Sequence, residues 1–215
     1  MEEIRIIYEG GSGEIEEKKS RFIADIIPVH AEDEALAFIA AAKKKYWDAR
    51  HNCFAYIIGE RGQLKRCSDD GEPQGTAGRP MLDVLEGENL TDVVCVVTRY
   101  FGGTLLGTGG LVRAYSGAVR EGLQNCRVLT RKKGVRLAIR TDYTDLGKIQ
   151  YLLGQNRIAT LDSVFAEAVE LTVVVEEERC AFLKETLREA TSARVVFASE
   201  EAVVFADDGK GPVIL

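Results

Sequence analysis

TDVVCVVTRYFGGTLLGTGGLVRAYSGAV, residues 91 to 119, decides how this chain folds. Residues 92 to 100 form an almost unbroken apolar run ending on Arg99 and Tyr100. Such a run predicts a strand covered on both faces. The next ten residues, FGGTLLGTGG, spend five positions on glycine. A helix is then expected over about 109 to 125, with Leu111, Tyr115, Ala118 and Gly122 on one face and Arg113 and Arg120 on the other. A glycine loop opening a helix leaves backbone N–H groups exposed and lets a ligand approach the main chain. Gly102, Gly103, Gly107, Gly109 and Gly110, flanked by Arg99 and Arg113, fit an anion site for a phosphate group or nucleic-acid backbone. A tight loop packing a helix closely on a strand explains the same glycines without a ligand. The loop has neither the GK[ST] of a Walker loop nor the acidic residue of a dinucleotide site.

Working outward, residues 20 to 29 read as a strand closed by Pro28, and 31 to 46 as a helix. That helix has Glu32, Asp33 and Glu34 in its first turn and Lys43, Lys44 and Lys45 in its last, matching the helix dipole. HNCFAYIIG (51 to 59) and LKRCS are expected to pair as a hairpin. SDDGEPQGTAGRP (68 to 80) is too polar and too rich in Gly and Pro for regular structure, and a short helix, MLDVLEG, follows. This half is α+β. TRKKGV (130 to 135) reads as a linker. VRLAIRT, DYTDLGKIQYLLGQN, RIATLDSVFA, AVELTVVVE, ERCAFLKETLREAT and ARVVFAS then give the order β-α-β-β-α-β of a ferredoxin-like unit, with Asp142 or Thr144 as N-cap of the first helix. The tail from 200 to 215 carries no clear assignment beyond a further strand or an ordered end. Two domains are expected, 1 to 130 and 131 to 215.

The 215 residues carry a net charge of −6, which argues against a general polyanion binder and confines any nucleic-acid contact to a local patch. The acidic start, MEEIRIIYEGG, lacks a signal-peptide pattern, and no apolar run approaches the ~20 residues of a membrane span. A cytoplasmic location without membrane contact is expected. The five cysteines form no C-x-x-C pair, so they are expected to be buried small residues, not metal ligands.

Two further constellations bear on function. Asp69, Asp70 and Glu72 place three carboxylates in four positions, a set suited to Mg²⁺ or to a general base; turn chemistry explains it equally and is preferred, so no metal or cofactor is expected. Arg79, before Pro80 at a helix start, is well placed to meet an anion. His51, in Arg50-His51-Asn52, is a candidate for acid–base work or a polar residue at a strand end. Two basic clusters, Lys43 to Lys45 with Arg50 and Arg61 with Lys65 and Arg66, make a backbone track only if both lie on the face of the glycine loop.

The stretch GRPMLDVLEGENLTDVVCVVTRYFGGTLLG (78 to 107), with its R-Y-F-G-G core at Arg99 to Gly103, resembles the signature of the YigZ/IMPACT family. SDDGEPQGTAGRP, KKSRFIA (18 to 24) and RHNCFAY (50 to 56) resemble the same family. The resemblance implies a first domain like the second domain of small-subunit ribosomal protein five and a second like the ferredoxin-like fifth domain of elongation factor G. Eukaryotic members regulate translation through protein partners bound by an extra domain, so those partners do not carry over, and no reaction is implied. The leading expectation is a translation-associated protein that binds RNA or the ribosome, with Arg79, Arg99 and Arg113 on phosphates and Tyr100, Phe101 or Tyr115 stacking on bases. The alternative is an enzyme acting on a phosphorylated small molecule at the same amides, with Asp70, Glu72 or His51 moving protons; a module that binds protein without chemistry is a third reading.

Overall fold

The computed structural model describes residues 3–215. Its elements are β1 (Arg5–Glu9), β2 (Gly11–Glu17), β3 (Ser20–Pro28), α1 (Glu32–Lys45), β4 (His51–Ile58), β5 (Leu64–Ser68), α2 (Gly78–Gly87), β6 (Leu90–Thr91), β7 (Val93–Tyr100), α3 (Thr108–Gln124), β8 (Arg127–Thr141), α4 (Tyr143–Gln155), β9 (Thr160–Phe165), β10 (Val169–Glu176), α5 (Glu177–Ala190), β11 (Val196–Asp207) and β12 (Pro212–Ile214). They form two compact units, 1–130 and 131–215.

Unit 1 is built on a five-stranded antiparallel sheet, β2-β3-β7-β4-β5. The apolar run places β7 at the sheet centre. Val93, Cys95 and Val97 join the core under α2 and α3, while Val94 and Val96 join the opposite core under α1 with Ala35, Ile39 and Ala42. Both faces are covered, as the composition of the run requires. On α3 the buried face is Leu111, Ala114, Tyr115, Ala118, Val119 and Gly122, and Arg113 and Arg120 are exposed. Helix α2 begins at Gly78, ahead of the expected start. Asp69 Oδ1 accepts from the amides of Ala77 and Gly78. Pro80 is tolerated in the first turn because its missing N–H has no helical acceptor there.

Unit 2 is the ferredoxin-like arrangement, with strands in the order β9-β10-β8-β11-β12 and every pair antiparallel. Val135, Leu137 and Ile139 of β8 and Val169, Leu171, Val173 and Val175 of β10 share a core with Ile149, Leu153, Leu183 and Leu187 of the two helices. Asp142 is the N-cap of α4 and accepts from the Asp145 amide. Two expectations change. Residues 130–135 are strand, not a free linker, because Lys132 and Lys133 pair with Phe205 and Val204 of β11. The tail supplies that partner as the strand that is one of its two expected readings, and the linker reading fails because a strand whose neighbour lies far along the chain shows no local sign of pairing.

Candidate functional site

The C-terminal end of β7 gathers almost every candidate of the first unit. Phe22, Arg99 and His51 are cross-strand neighbours on β3, β7 and β4. They continue the face on which Phe22, Cys53 and Val97 join the core under α2 and α3. The loop after β5, the loop after β7, the start of α3 and the β2–β3 turn all meet this end of the sheet.

The acidic loop is consumed by the protein's own donors. Asp69 accepts from the amides of Gly75, Ala77 and Gly78. Burial pushes its carboxyl up, but those backbone N–H bonds prevail and hold it below the ordinary carboxylate value. Asp70 Oδ1 pairs with Lys43 Nζ at 2.6 Å and Oδ2 accepts from the Asn52 amide at 2.7 Å. Glu72 is buried; its Oε1 accepts from Arg99 Nη1 at 2.7 Å and from Tyr115 Oη at 2.9 Å. His51 Nδ1 lies 2.9 Å from the Asp70 carbonyl oxygen, and since a carbonyl only accepts, Nδ1 carries the proton. Cys53 Sγ is 3.3 Å from Tyr115 Oη and 3.0 Å from the Asp69 carbonyl. Burial pushes the Cys53 thiol up to about 12 and the Tyr115 hydroxyl up as well. Among the described residues no group of three His, Cys, Asp or Glu is arranged to hold a metal.

Three expectations about ligand contacts change with this network. Arg99 is only 7% exposed; it sits against the rings of Phe22 and Phe101, and its charge is met by Glu72. It is not a surface phosphate ligand. Arg79 lies along α2 with its guanidinium on Asp83 and Glu86, both acidic, so its charge is already answered. Tyr115 is fully buried, edge-on to Phe22. Tyr100 donates to Asp48, which leaves Phe101, 51% exposed, as the available ring of the three.

The glycine loop behaves differently. Gly102 is needed for close approach: a Cβ there would meet Lys19 backbone at 2.0 Å. Its amide donates to Ser20 Oγ. Gly107 has φ 73° and ψ 167°, a conformation open essentially to glycine alone, and is the N-cap of α3. It has no side chain to cap with, and among the described residues no side-chain hydrogen bond caps this helix start. The first-turn amides, Thr108 to Gly110, therefore keep open donors. Arg113 folds back over this turn, with Nη1 3.7 Å from where a Cβ of Gly109 would stand. Gly103, Gly107 and Gly109 are exposed and Gly110 half-buried.

Sequence reading named Lys44 and Arg50 but gave no role to Lys18, Lys19 or Trp47 at this end of the sheet. Lys18 and Lys19 occupy the β2–β3 turn at φ 48° and 67°. That is left-handed backbone, which in a two-residue hairpin usually takes Asn-Gly. Trp47, 81% exposed, follows α1. Lys44 and Arg50 are exposed near it, whereas Lys43 and Lys45 are held by Asp70 and Asp25. Arg61, Lys65 and Arg66 lie toward the other end of β4, about 17 Å or more from its start at about 3.3 Å per residue. The two basic clusters therefore do not form one track. Two lysines between charged segments give no sequence signal that they abut a loop more than eighty residues later.

A five-stranded antiparallel sheet with helices on both faces, followed by a ferredoxin-like unit, is a defined two-domain α+β class. Within it, residues 18–123 match the Impact N-terminal domain and residues 139–194 match a domain of unknown function, DUF1949. The chain is similar to the IMPACT family member YvyE of Bacillus subtilis, with 44% identity over 87% of each chain. It is also similar to the IMPACT family member YigZ of Escherichia coli, with 38% identity over 76% of this chain and 81% of that one. A crystal structure of a hypothetical protein aligns over 94% of this chain and 99% of its own at TM-score 0.58 and 35% identity. This chain belongs to the IMPACT family.

Proposed function

We propose that this protein is a cytoplasmic, translation-associated protein that binds single-stranded or ribosomal RNA with the end of unit 1 formed around the start of α3. One observation carries the reading: an uncapped helix N-terminus with Arg113 folded over it, with exposed Lys18 and Lys19 against the loop that leads to it and exposed Lys44 and Arg50 at the same end of the sheet. The amides and guanidinium group seat a phosphate, and the surrounding ammonium groups follow the backbone on either side. Trp47 and Phe101 present exposed rings at the same end for base stacking. The −6 net charge keeps affinity modest and confines contact to this patch. Family membership, and the ribosomal-protein-like first domain that the family resemblance implies, support the translation setting.

The test is RNA binding by fluorescence anisotropy, with cosedimentation on ribosomes, between about 50 and 200 mM salt. Binding should weaken linearly on a log–log salt plot. Charge reversal at Arg113 should abolish it while the thermal transition stays in place. Unchanged RNA affinity in Arg113→Glu would remove the site.

A further inference from the structure

We propose that the inner edge of the Arg99 guanidinium is a seat for a phosphate monoester. This goes beyond the backbone reading and stands or falls apart from it.

The argument starts from an incomplete set of hydrogen bonds. Arg99 is 7% exposed, and every neighbour that fixes it acts elsewhere on the group. Nη1 donates to Glu72, and the rings of Phe22 and Phe101 lie 5.4 and 5.5 Å from its Cζ. Nε is buried and has no partner. In a guanidinium, Nη1 is the nitrogen cis to Cδ, so Nε–H and Nη2 share the opposite edge. That edge offers two parallel donors at the spacing of two oxygens on one phosphorus or carbon. A buried donor left unmade costs free energy, and a native fold rarely keeps one without a use.

The surroundings hold this edge in a fixed orientation. Glu72 is locked by Tyr115 as well as by Arg99, and Tyr115 is itself buried in α3. His51 is the next side chain across the sheet, with its Nδ1 proton committed to the Asp70 carbonyl. Phe101, half-exposed, borders the guanidinium on the side of the glycine loop. A recessed donor pair accepts a group that hangs from a single bond. An internal phosphodiester carries two bulky ester arms and cannot sink its phosphorus to this depth, whereas a monoester carries one. Its two sources are the 5′ end of an RNA and a phosphorylated small molecule.

The experiment observes the Arg99 Nε–H signal by ¹⁵N NMR in the intact protein during titration with inorganic phosphate. Parallel arms use 5′-phosphorylated RNA, the same RNA with a 5′-hydroxyl, and a sugar phosphate. Saturable movement of that signal with phosphate is expected. One of the two monoester sources should bind roughly tenfold tighter than its dephosphorylated form, and which one does identifies the source. Arg99→Lys keeps a cation for Glu72 but removes the edge, and should lose that discrimination; Arg120→Gln, exposed two turns further along α3, should leave it intact. No saturable shift of Arg99 Nε–H up to millimolar phosphate would overturn the proposal, as would equal discrimination in Arg99→Lys. The wild-type titration decides even if the lysine variant fails to fold.

Discussion

Two loops meet at the end of β7, and they use polar chemistry in opposite ways. The loop from Asp69 to Ala77 carries three carboxylates and turns all of them inward, on backbone amides, Lys43 and Arg99. The loop from Phe101 to Gly107 carries no charge and leaves the donors of the following helix open. By composition the first looks like the ligand site. In the structure it is scaffolding, and the uncharged loop is the one that faces outward with free hydrogen-bonding capacity. A charged cluster indicates function only after its internal partners have been counted.

The sharpest way to break this contrast is to empty the closed loop of its central pair. Arg99→Met alone leaves Glu72 buried without its cation and should cost about 3–5 kcal/mol in urea unfolding. The double variant Glu72→Leu with Arg99→Met should recover most of that loss. If the double variant is no better than the single, the pair is not the element that closes the loop. Next in size, Asp69→Ala removes the acceptor for three amides and should cost about 1–2 kcal/mol, the upper range for a lost cap. Because the folded carboxyl lies below its ordinary value, its contribution is complete above the unfolded range near pH 4 and is lost as pH falls through the folded value. Urea midpoints of wild type and Asp69→Asn should therefore converge in acid and separate toward neutrality.

On the open loop the effects should appear in binding and spare stability. Arg113→Gln should lower the salt slope for single-stranded RNA by about 0.7 and leave the thermal midpoint within about 0.5 kcal/mol of wild type. The smallest effect should be the most telling. Lys18→Asn with Lys19→Gly relieves left-handed backbone at two residues and should stabilise the fold by about 1 kcal/mol. The same change should weaken RNA binding. A variant that gains stability and keeps full affinity would show that the two lysines are an accident of the turn.

How much could be read in advance follows the range of the interactions. The covered strand β7, the face of α3 and the β-α-β-β-α-β order are periodic signals written within each segment; β7 and α3 emerge at nearly their observed bounds, whereas β8 and β11 run several residues beyond theirs. At the α3 start the N-cap is Gly107, which has no side chain to cap with. Strand β2 was not legible: it is an edge strand, GSGEIEE, with Gly13 as its buried residue and charges elsewhere, so it shows no apolar alternation. The partnership of Glu72 with Arg99 joins residues 27 apart on a loop and a strand, and no local rule connects them. That one pairing moved Arg99 from the surface to the interior and Tyr115 from a stacking ring to a buried donor.

Cys53 touches this network from below, fully enclosed and protonated at neutral pH. An alkylating reagent can reach its sulfur only when the roof over it lifts, so the labelling rate under native conditions times those excursions. Cys67, exposed on β5, is open to the reagent without any such opening and serves as the internal standard. The molecule thus carries its own stopwatch for breathing at the very place where its two loops meet.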